Sequence, residues 1–408
     1  MLLEVNRARP MVMHIDLNSC FATVEQQSRP LLRGRPVAIV NRATEHTAIV
    51  TASYEAKQQG IGVGTKLRAA RLLCPSLVAL ESDPPKYRYV YRKLMAILEE
   101  YSPNVRMKSI DEGVIDFAQS PPELRQRELL DIGREIKQRL RDEIGCYMRC
   151  NVGIGTNRFL AKTAAGLDKP DGMTQITHHN LRSVYERLKL EDLTGIAHGY
   201  SARLREVGIT TPLMFLDADE ATLEKQVFHG KPGRDWYRRL RGWEVDDVEH
   251  TLQYVGRQFV LDERGLGYDD VLRRFHGLSE DVAAKLRAQH VWARTVRIYV
   301  RTRHGYWHAL HHERRAFHDE ATLFAAVQAL FRNAPLPALE IGVTCMNLTT
   351  EQEAQLALFG NDEHIEHITS AIDEINGLWG DHTVHSADTL GLNNRMKRKI
   401  PFGSTRYL

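Results

Sequence analysis

The stretch KSIDEGVIDF at residues 108–117 places two acids, Asp111 and Glu112, side by side between short runs in which apolar and polar residues alternate. Such alternation is typical of strands, so residues 104–117 are predicted to form a hairpin with both acids near its bend. Adjacent carboxylates in an apolar setting repel each other. Two explanations are open at this point: a solvated acidic turn, or half of a metal site that needs a further carboxylate.

The segments around this stretch predict an α+β fold. Without residues 27–80, the order is strand, helix, hairpin, helix, strand, helix, which is typical of a small antiparallel sheet backed by helices, the ferredoxin-like arrangement. The predicted segments are a strand at 11–16, a helix after it, a strand at 36–40, a helix at 129–140 ended by Gly145, a strand at 147–154 and a helix stopped by Pro170.

In such a sheet the first strand and the hairpin are neighbours, so we expect Asp16 to approach Asp111 and Glu112. Three carboxylates at one sheet edge would repel strongly unless divalent cations lay between them. Oxygen ligands without histidine or cysteine point to magnesium. Two such ions about 4 Å apart would serve an in-line phosphoryl transfer. These expectations favour the metal site over the acidic turn.

The composition limits the class of protein. A chain of 408 residues suits two to four domains, and 43% hydrophobic with 26% charged residues describes a globular protein rather than a disordered one. No apolar run of membrane-spanning length and no signal-peptide layout are present, so we expect a cytoplasmic protein without a membrane partner. The five cysteines form no CxxC pair, which disfavours a structural zinc site.

Basic residues are clustered although the net charge is only +3. The stretch RTVRIYVRTR at 294–303 alternates, so its apolar residues would face one side of a strand and its basic and aromatic residues the other. The outward residues are Arg297, Tyr299, Arg301 and Arg303. A solvated strand face is an equally good explanation of this stretch alone. With further basic clusters at 231–243 and 395–399, an extended polyanion is the favoured partner.

Four motifs, HIDLNSCFATVE, TASYEAK, SIDEG and NVGIGTNRFLAKTAAGLDKPDG, occur in the order and spacing of the Y-family DNA polymerases, the translesion class with the DinB and UmuC types. The chain resembles that family over roughly residues 11–360. The resemblance implies a multidomain right-hand polymerase with a ferredoxin-like palm, small fingers, a helical thumb and an α/β little finger. It also implies template-directed, low-fidelity transfer of deoxynucleotides to a primer with magnesium, in DNA repair and damage tolerance.

The resemblance assigns roles to individual residues. Asp16, Asp111 and Glu112 match the catalytic carboxylates that bind two Mg²⁺ ions, and the Leu17 carbonyl would be a further ligand. Phe21 matches the aromatic steric gate that excludes a ribose 2′-hydroxyl. A core aromatic on an amphipathic helix is the alternative for Phe21.

Four further residues match positions that hold the incoming dNTP: Thr51, Tyr54, Lys57 and Lys169. Hydroxyl, phenol and ammonium groups are suitable donors to phosphate oxygens. The family more often has arginine in place of Lys57, so the charge is kept but the bidentate geometry is lost. Cys20 replaces a usual aromatic, which predicts a roomier pocket floor and leaves the fidelity open.

DNA contacts are expected in the thumb and the little finger. LTGIAHGYSARLREVGI at 193–209 predicts a helix–hairpin–helix with Gly195 and Gly199 in the turn, where backbone N–H groups can approach a phosphate. A plain helical hairpin is the alternative. The basic face of 294–303 becomes the expected DNA-facing surface, with binding that weakens as salt rises.

The C-terminal region suggests a second partner. Gln355, Leu356, Leu358 and Phe359 resemble the short peptide that docks bacterial polymerases on the sliding clamp. A helix end with buried apolar residues is the alternative. The long segment after this peptide is more typical of the UmuC type than of the DinB type.

The predicted domains are palm (1–26 and 81–172), fingers (27–80), thumb (173–245), little finger (246–350), and clamp peptide with tail (351–408). A monomer is expected. Two other functions are open: a catalytically inactive DNA-binding subunit of a mutagenesis complex, and a nucleotide cyclase, since palm-like sheets with two metals also make cyclic nucleotides. Retention of all three acids disfavours the first, and the thumb hairpin and basic strand disfavour the second.

Overall fold

The computed structural model describes residues 4–248, 251–261, 263, 265–350 and 362–392. These residues form two compact units, one within residues 1–248 and the other within residues 249–398. None of the described helices is long and apolar enough to cross a membrane.

The first unit is built on a five-stranded sheet in the order β5-β6-β1-β7-β8. Its strands are β1 (Val12–Leu17), β5 (Val105–Met107), β6 (Glu112–Asp116), β7 (Cys150–Gly155) and β8 (Met173–Gln175). The central strand β1 pairs antiparallel with both β6 and β7, as the ferredoxin-like prediction requires. The short strand β8, which the sequence pattern did not predict, pairs in parallel with β7.

Alternation along β1 and β6 separates two faces of this sheet. One face contributes Met13, Ile15 and Ile115 to a core shared with the long helices α4 (Pro84–Glu99) and α6 (Leu129–Arg139). The other face carries Val12 and Val114, which pack with Ala161 of helix α7 (Arg158–Gly166). Asp16 and Glu112 alternate with the residues of the first face and share the face of Val12 and Val114, so they lie on the α7 side of the sheet.

The helices around this sheet and in the segment between its first helix and α4 are α1 (Cys20–Ser28), α2 (Tyr54–Gln58), α3 (Leu67–Leu73), α4 (Pro84–Glu99), α5 (Pro122–Arg125), α6 (Leu129–Arg139) and α7 (Arg158–Gly166). Gly145 terminates the π-helical turn Leu140–Ile144 that extends α6, so the predicted stop is confirmed. The helix predicted to run to Pro170 instead ends at Gly166, because the backbone of Leu167 is already extended, with φ −76° and ψ 159°. The strand predicted from residue 147 begins at Cys150.

Between α1 and α4 the chain forms a separate three-stranded sheet in the order β3-β2-β4, with its own small core. Its strands are β2 (Val37–Val40), β3 (Ile49–Ala52) and β4 (Val78–Glu81). After β8 the first unit is helical, and its core centres on Tyr185, Phe215 and Trp236. The helices there are α8 (Leu181–Glu186), α9 (His198–Glu206), α10 (Pro212–Asp217), α11 (Glu220–Thr222) and α12 (Lys231–Leu240).

The second unit has a four-stranded antiparallel sheet in the order β11-β10-β12-β9. The strands are β9 (Tyr254–Val260), β10 (Val291–Thr302), β11 (Gly305–Phe317) and β12 (Glu340–Thr350), and the helices are α13 (Tyr268–Ala288), α14 (Glu320–Phe331) and α15 (Asp362–Trp379). Val296, Ile298 and Val300 of β10 are fully buried, which confirms the predicted inward face. Arg303 lies beyond the end of β10 rather than on its outer face, because the strand ends at Thr302.

Candidate active site

Strand pairing brings two of the three predicted carboxylates together, and the third lies close enough to interact with their charges. Asp16 lies opposite Glu112 in the register of β1 and β6, and carboxylate oxygens of the two residues lie within 4.8 Å of each other. Asp111 occupies the bend before β6, where its carbonyl accepts a hydrogen bond of 2.9 Å from the Leu17 N–H. The hairpin and the convergence of Asp16 on it are therefore present in the structure.

The ionised Asp111 carboxyl lies in an electrostatically unfavourable position. Burial raises its pKa, and the nearby charges of Asp16 and Glu112 raise it further. A hydrogen bond from the Ser109 hydroxyl lowers the pKa only in part. The ionised form of Asp111 would thus be stabilised by a divalent cation in this position.

Glu112 is held by two side chains that the motif analysis missed. Lys162 of α7 donates to both carboxylate oxygens at 2.9 Å, and the buried His14 ring lies 3.2 Å from one of them. Burial raises the pKa of Glu112, but the His14 and Lys162 interactions outweigh it and bring the pKa to about 2. His14 precedes Asp16 by two residues on one strand face, a signal that was available in the sequence.

Asp16 is paired in the same manner. Lys169 Nζ lies 2.6 Å from its Oδ2 atom. The expectation that only divalent cations make this cluster tolerable is therefore wrong. Lys162 and Lys169 supply positive charge from the chain itself, because α7 and the segment after it pass over the acidic face of the sheet.

Three of the four predicted nucleotide-binding residues, Tyr54, Lys57 and Lys169, lie near Asp16. Lys57 Nζ donates to the Ser19 hydroxyl at 2.8 Å and lies 4.5 Å from the centre of the Tyr54 ring. Burial lowers the pKa of Lys57, the charge of Lys169 lowers it further, and Asp16 opposes both. The two ammonium groups are thus close enough to repel each other, which suits a site for a polyanion. Thr51 lies on β3, on the strand that leads to α2.

Helix α1 places Phe21 and Cys20 next to this cluster. Phe21 is buried, 4% exposed, and stacks on the ring of Tyr87 from α4. The Cys20 thiol is also buried, and burial together with the charges of Asp111 and Asp16 raises its pKa. Cys20 is therefore a small, buried side chain near Asp16 and Asp111, and its thiol stays protonated.

The donor set fits a hard divalent cation. Asp16, Asp111 and Glu112 offer carboxylate oxygens at one sheet edge, and magnesium prefers such ligands. His14 lies within the same group of potential ligand atoms as Asp16 and Glu112. Its ring approaches Glu112 directly, so we interpret His14 as a residue that orients this carboxylate rather than as a metal ligand.

Comparison with known proteins identifies the family. Residues 15–166 match the impB/mucB/samB family, and residues 254–358 match the C-terminal domain of the same family. The chain is 31% identical to a DNA polymerase IV of Moorella thermoacetica over 92% of its own length and 95% of that protein. It is 28% identical to a DNA polymerase IV of Bacillus velezensis over 96% of both chains. The chain belongs to the Y family of DNA polymerases.

Solved structures share the fold of this Y-family chain. A Y-family DNA polymerase chimera of Dbh and Dpo4 superposes with a TM-score of 0.72 at 20% identity, covering 83% of this chain and 99% of the chimera. An insertion ternary complex of Dbh DNA polymerase gives a TM-score of 0.57. Relatives named DNA polymerase IV support the DinB type, so the UmuC-like interpretation of the long C-terminal segment is not supported.

In this Y-family chain the predicted thumb turn differs from its sequence pattern. Gly195 lies in a turn with φ 98°, where a side chain on the residue would also crowd Trp236. Gly199 is not in the turn as predicted, because α9 already begins at His198. The N-terminus of α9 has no side-chain cap, so its first N–H groups are available to an anion.

The outer face of β10 is less free than its sequence pattern suggests. Arg297 is exposed, but Arg301 forms a 2.8 Å ion pair with Glu340 of β12. The Tyr299 hydroxyl donates to the same glutamate at 2.8 Å. The predicted clamp-binding residues Gln355, Leu356, Leu358 and Phe359 lie outside the described residues.

Proposed function

We propose that this chain extends a primer 3′ end on a DNA template by magnesium-dependent transfer of deoxynucleotides, with low fidelity and across damaged bases. The observation that carries the proposal is the convergence of Asp16, Asp111 and Glu112 beside Lys57 and Lys169. The names of the DNA polymerase IV relatives and the ternary-complex structure support the same reaction, with primer–template DNA and a dNTP as partners.

The acidic residues and the cations would act on different parts of the substrate. Asp16, Asp111, Glu112 and the Leu17 carbonyl would hold two Mg²⁺ ions, which would lower the pKa of the primer hydroxyl and neutralise the triphosphate. Tyr54, Lys57, Lys169 and the Thr51 hydroxyl would bind the phosphate oxygens. Lys169 would exchange its contact with Asp16 for a phosphate once a nucleotide enters.

Phe21 would act at the sugar. A ribose 2′-hydroxyl needs space where the buried ring lies, so the enzyme would accept deoxyribose and exclude ribose. With Cys20 rather than an aromatic beside this ring, the floor of the pocket is open to larger or displaced bases.

We further propose that the N-terminus of α9, with Gly195 and Gly199, binds a DNA phosphate and that Arg297 contributes a second, sequence-independent contact. The same proposal assigns DNA-backbone contacts to Tyr299, Arg301 and Arg303. Arg301 would have to break its ion pair with Glu340 to make such a contact. The peptide at 355–359 is proposed to bind a sliding clamp, and the protein to act as a cytoplasmic monomer.

Primer extension on undamaged DNA tests the central proposal. Asp111→Asn and Glu112→Gln remove one charge each at nearly constant shape, so we expect extension to be abolished while DNA affinity, measured by fluorescence anisotropy, stays within about threefold. Asp131→Asn is the matched control, because that acid is exposed on α6 and pairs with Arg134. Wild-type extension rates in both site variants would refute the metal assignment.

Two further measurements separate the other functions. Intact protein that binds DNA but extends no primer would be the inactive subunit. Nucleoside triphosphate without DNA should yield no cyclic nucleotide. Extension across a panel of defined lesions would then identify the damage that the enzyme tolerates.

A further inference from the structure

The proposed sugar gate is part of a two-ring stack. The rings of Phe21 and Tyr87 have centroids 4.3 Å apart and planes inclined by 10°. Tyr87 is fully buried, so its ring is confined between Phe21 and the core of the first unit. The stack joins α1 to α4. In the chain, the three-stranded sheet β3-β2-β4 lies between these two helices.

Tyr87 is fixed at its far end by a buried ion-pair cluster. Its hydroxyl donates to Glu25 Oε1 at 3.2 Å. Glu25 is 1% exposed, and Lys86 Nζ binds both of its oxygens at 2.8 and 3.0 Å. Arg29 Nε lies 3.7 Å from the same carboxylate. The tyrosine ring is therefore held both by packing and by a directional hydrogen bond.

The residue beside the gate makes this stack more consequential. Cys20, the neighbour of Phe21 in the chain, is a small buried side chain near the acidic site. It has no ring that could stack on Phe21. An aromatic side chain keeps its orientation when a neighbouring ring stacks on it in offset geometry. Tyr87 supplies such a surface from α4.

We propose that Tyr87 is a positioning residue that sets the depth of Phe21 and thereby the selection of deoxyribose over ribose. Tyr87 acts through Phe21 and not on the nucleotide, so the proposal rests on the gate function proposed above. Without the flat ring, Phe21 could turn into the vacated space, and a 2′-hydroxyl would then fit.

The test is the ratio of kcat/KM for a dNTP to that for the matching rNTP in the full-length enzyme. Tyr87→Leu removes the ring, and we expect the ratio to fall by about tenfold, the factor that corresponds to losing one stacked pair. The fall should come from faster use of rNTP rather than from slower use of dNTP. Tyr87→Phe keeps the ring and should stay within about twofold of wild type, because the stack remains.

Two controls locate a failure. Phe21→Ala should lose selection more completely than Tyr87→Leu. Tyr185→Leu removes a buried ring of α8 that lies away from the gate, where the Tyr185 hydroxyl donates to the Leu240 carbonyl. This variant should leave the ratio of dNTP to rNTP kcat/KM unchanged. Tyr87→Met, whose flexible side chain fills irregular space, replaces Tyr87→Leu if the latter does not fold.

Each result has one meaning. An unchanged ratio in folded Tyr87→Leu or Tyr87→Met, with selection lost in Phe21→Ala, would overturn the role of Tyr87 and leave the gate intact. An unchanged ratio in Phe21→Ala would overturn the gate and this inference with it. Absence of extension by the wild-type enzyme would overturn the proposed function itself.

Discussion

Lys162 shows how one residue changes the interpretation of the acidic cluster. It reaches Glu112 from α7 with two contacts of 2.9 Å, so a carboxylate that is only partly exposed already has a cationic partner. Its position in the motif NRFLAKTAAG gave no indication of this contact, because a lysine on a helix is usually solvated.

Replacement of Lys162 should make stability depend on metal. In Lys162→Met the Glu112 carboxylate keeps its burial but loses this cation, so the free energy of unfolding in EDTA should fall by on the order of 1 kcal/mol. Addition of millimolar Mg²⁺ should recover most of that loss, because the bound cation replaces the missing charge, and it should stabilise the variant more than it stabilises wild type. Urea denaturation with and without the metal measures both values.

Lys162→Arg, which retains the charge, is the control and should resemble wild type in EDTA. Equal stability of Lys162→Met and wild type in EDTA would show that the lysine contributes nothing to tolerating Glu112.

At the level of elements, helix α7 depends on two glycines in β7. A Cβ on Gly153 would overlap the backbone of Ala161 and Ala165, and one on Gly155 would crowd Leu160 and Ala161. The helix therefore lies unusually close to the sheet, and this closeness carries Lys162 to Glu112. Two glycines of the motif NVGIGTNRFLAK are thus required for the close packing of α7 on the sheet.

Gly153→Ala should separate α7 from the sheet. We expect the free energy of unfolding to fall by roughly 1–3 kcal/mol, as for other overpacked cores, and extension to slow because Lys162 is displaced. Gly166→Ala at the end of the same helix is the matched control, since no atom lies within 4 Å of its added Cβ. Urea denaturation and primer extension of both variants measure the difference, and equal effects of the two substitutions would contradict the close-packing argument.

The elements also show what the sequence could predict. Alternation placed Val296, Ile298 and Val300 inward, and the periodicity around 104–117 located the hairpin, because both patterns depend only on neighbouring residues. The partners of Arg301 and Glu112 could not be predicted, since Glu340 and Lys162 lie far along the chain. Helix ends at Gly166 and His198 were missed because local backbone turns, not composition, determine them.

On the scale of the whole molecule, the second unit carries a charged cluster of its own. His276 of α13 bonds to Asp388 through Nδ1 and to Glu320 of α14 through Nε2, each at 2.6 Å. Its ring also stacks on Phe324 at 3.7 Å. Nearby Glu280 accepts from the Ser386 N–H and the Thr389 hydroxyl, so residues 386–389 are fastened to α13.

This cluster should make the attachment of residues 386–389 to α13 depend on pH. Burial lowers the pKa of His276, but the hydrogen bonds to Glu320 and Asp388 outweigh it and raise the pKa. A raised pKa in the folded state means that the imidazolium stabilises the fold fully below about pH 6.5 and less as pH rises through the folded pKa. Burial raises the pKa of Asp388, but the contact with His276 outweighs it and lowers the pKa, so strong acid should also weaken the attachment of residues 386–389 to α13.

Hydrogen exchange of the peptide spanning residues 386–392, corrected for intrinsic rates, measures this dependence. Protection in wild type should decline as pH rises above about 6.5, through the raised pKa of His276 in the folded state. In His276→Gln it should be lower and independent of pH in that range. A flat wild-type profile would show that His276 does not carry a charge in the folded protein.

The lysines that pair with Asp16 and Glu112 also bear on the state of the protein when no substrate or cation is bound. Side chains of the protein balance part of the negative charge of this site, so the fold does not depend on a bound cation alone. Depletion of divalent cations should then abolish activity before it unfolds the protein, and activity should return when the cations are restored.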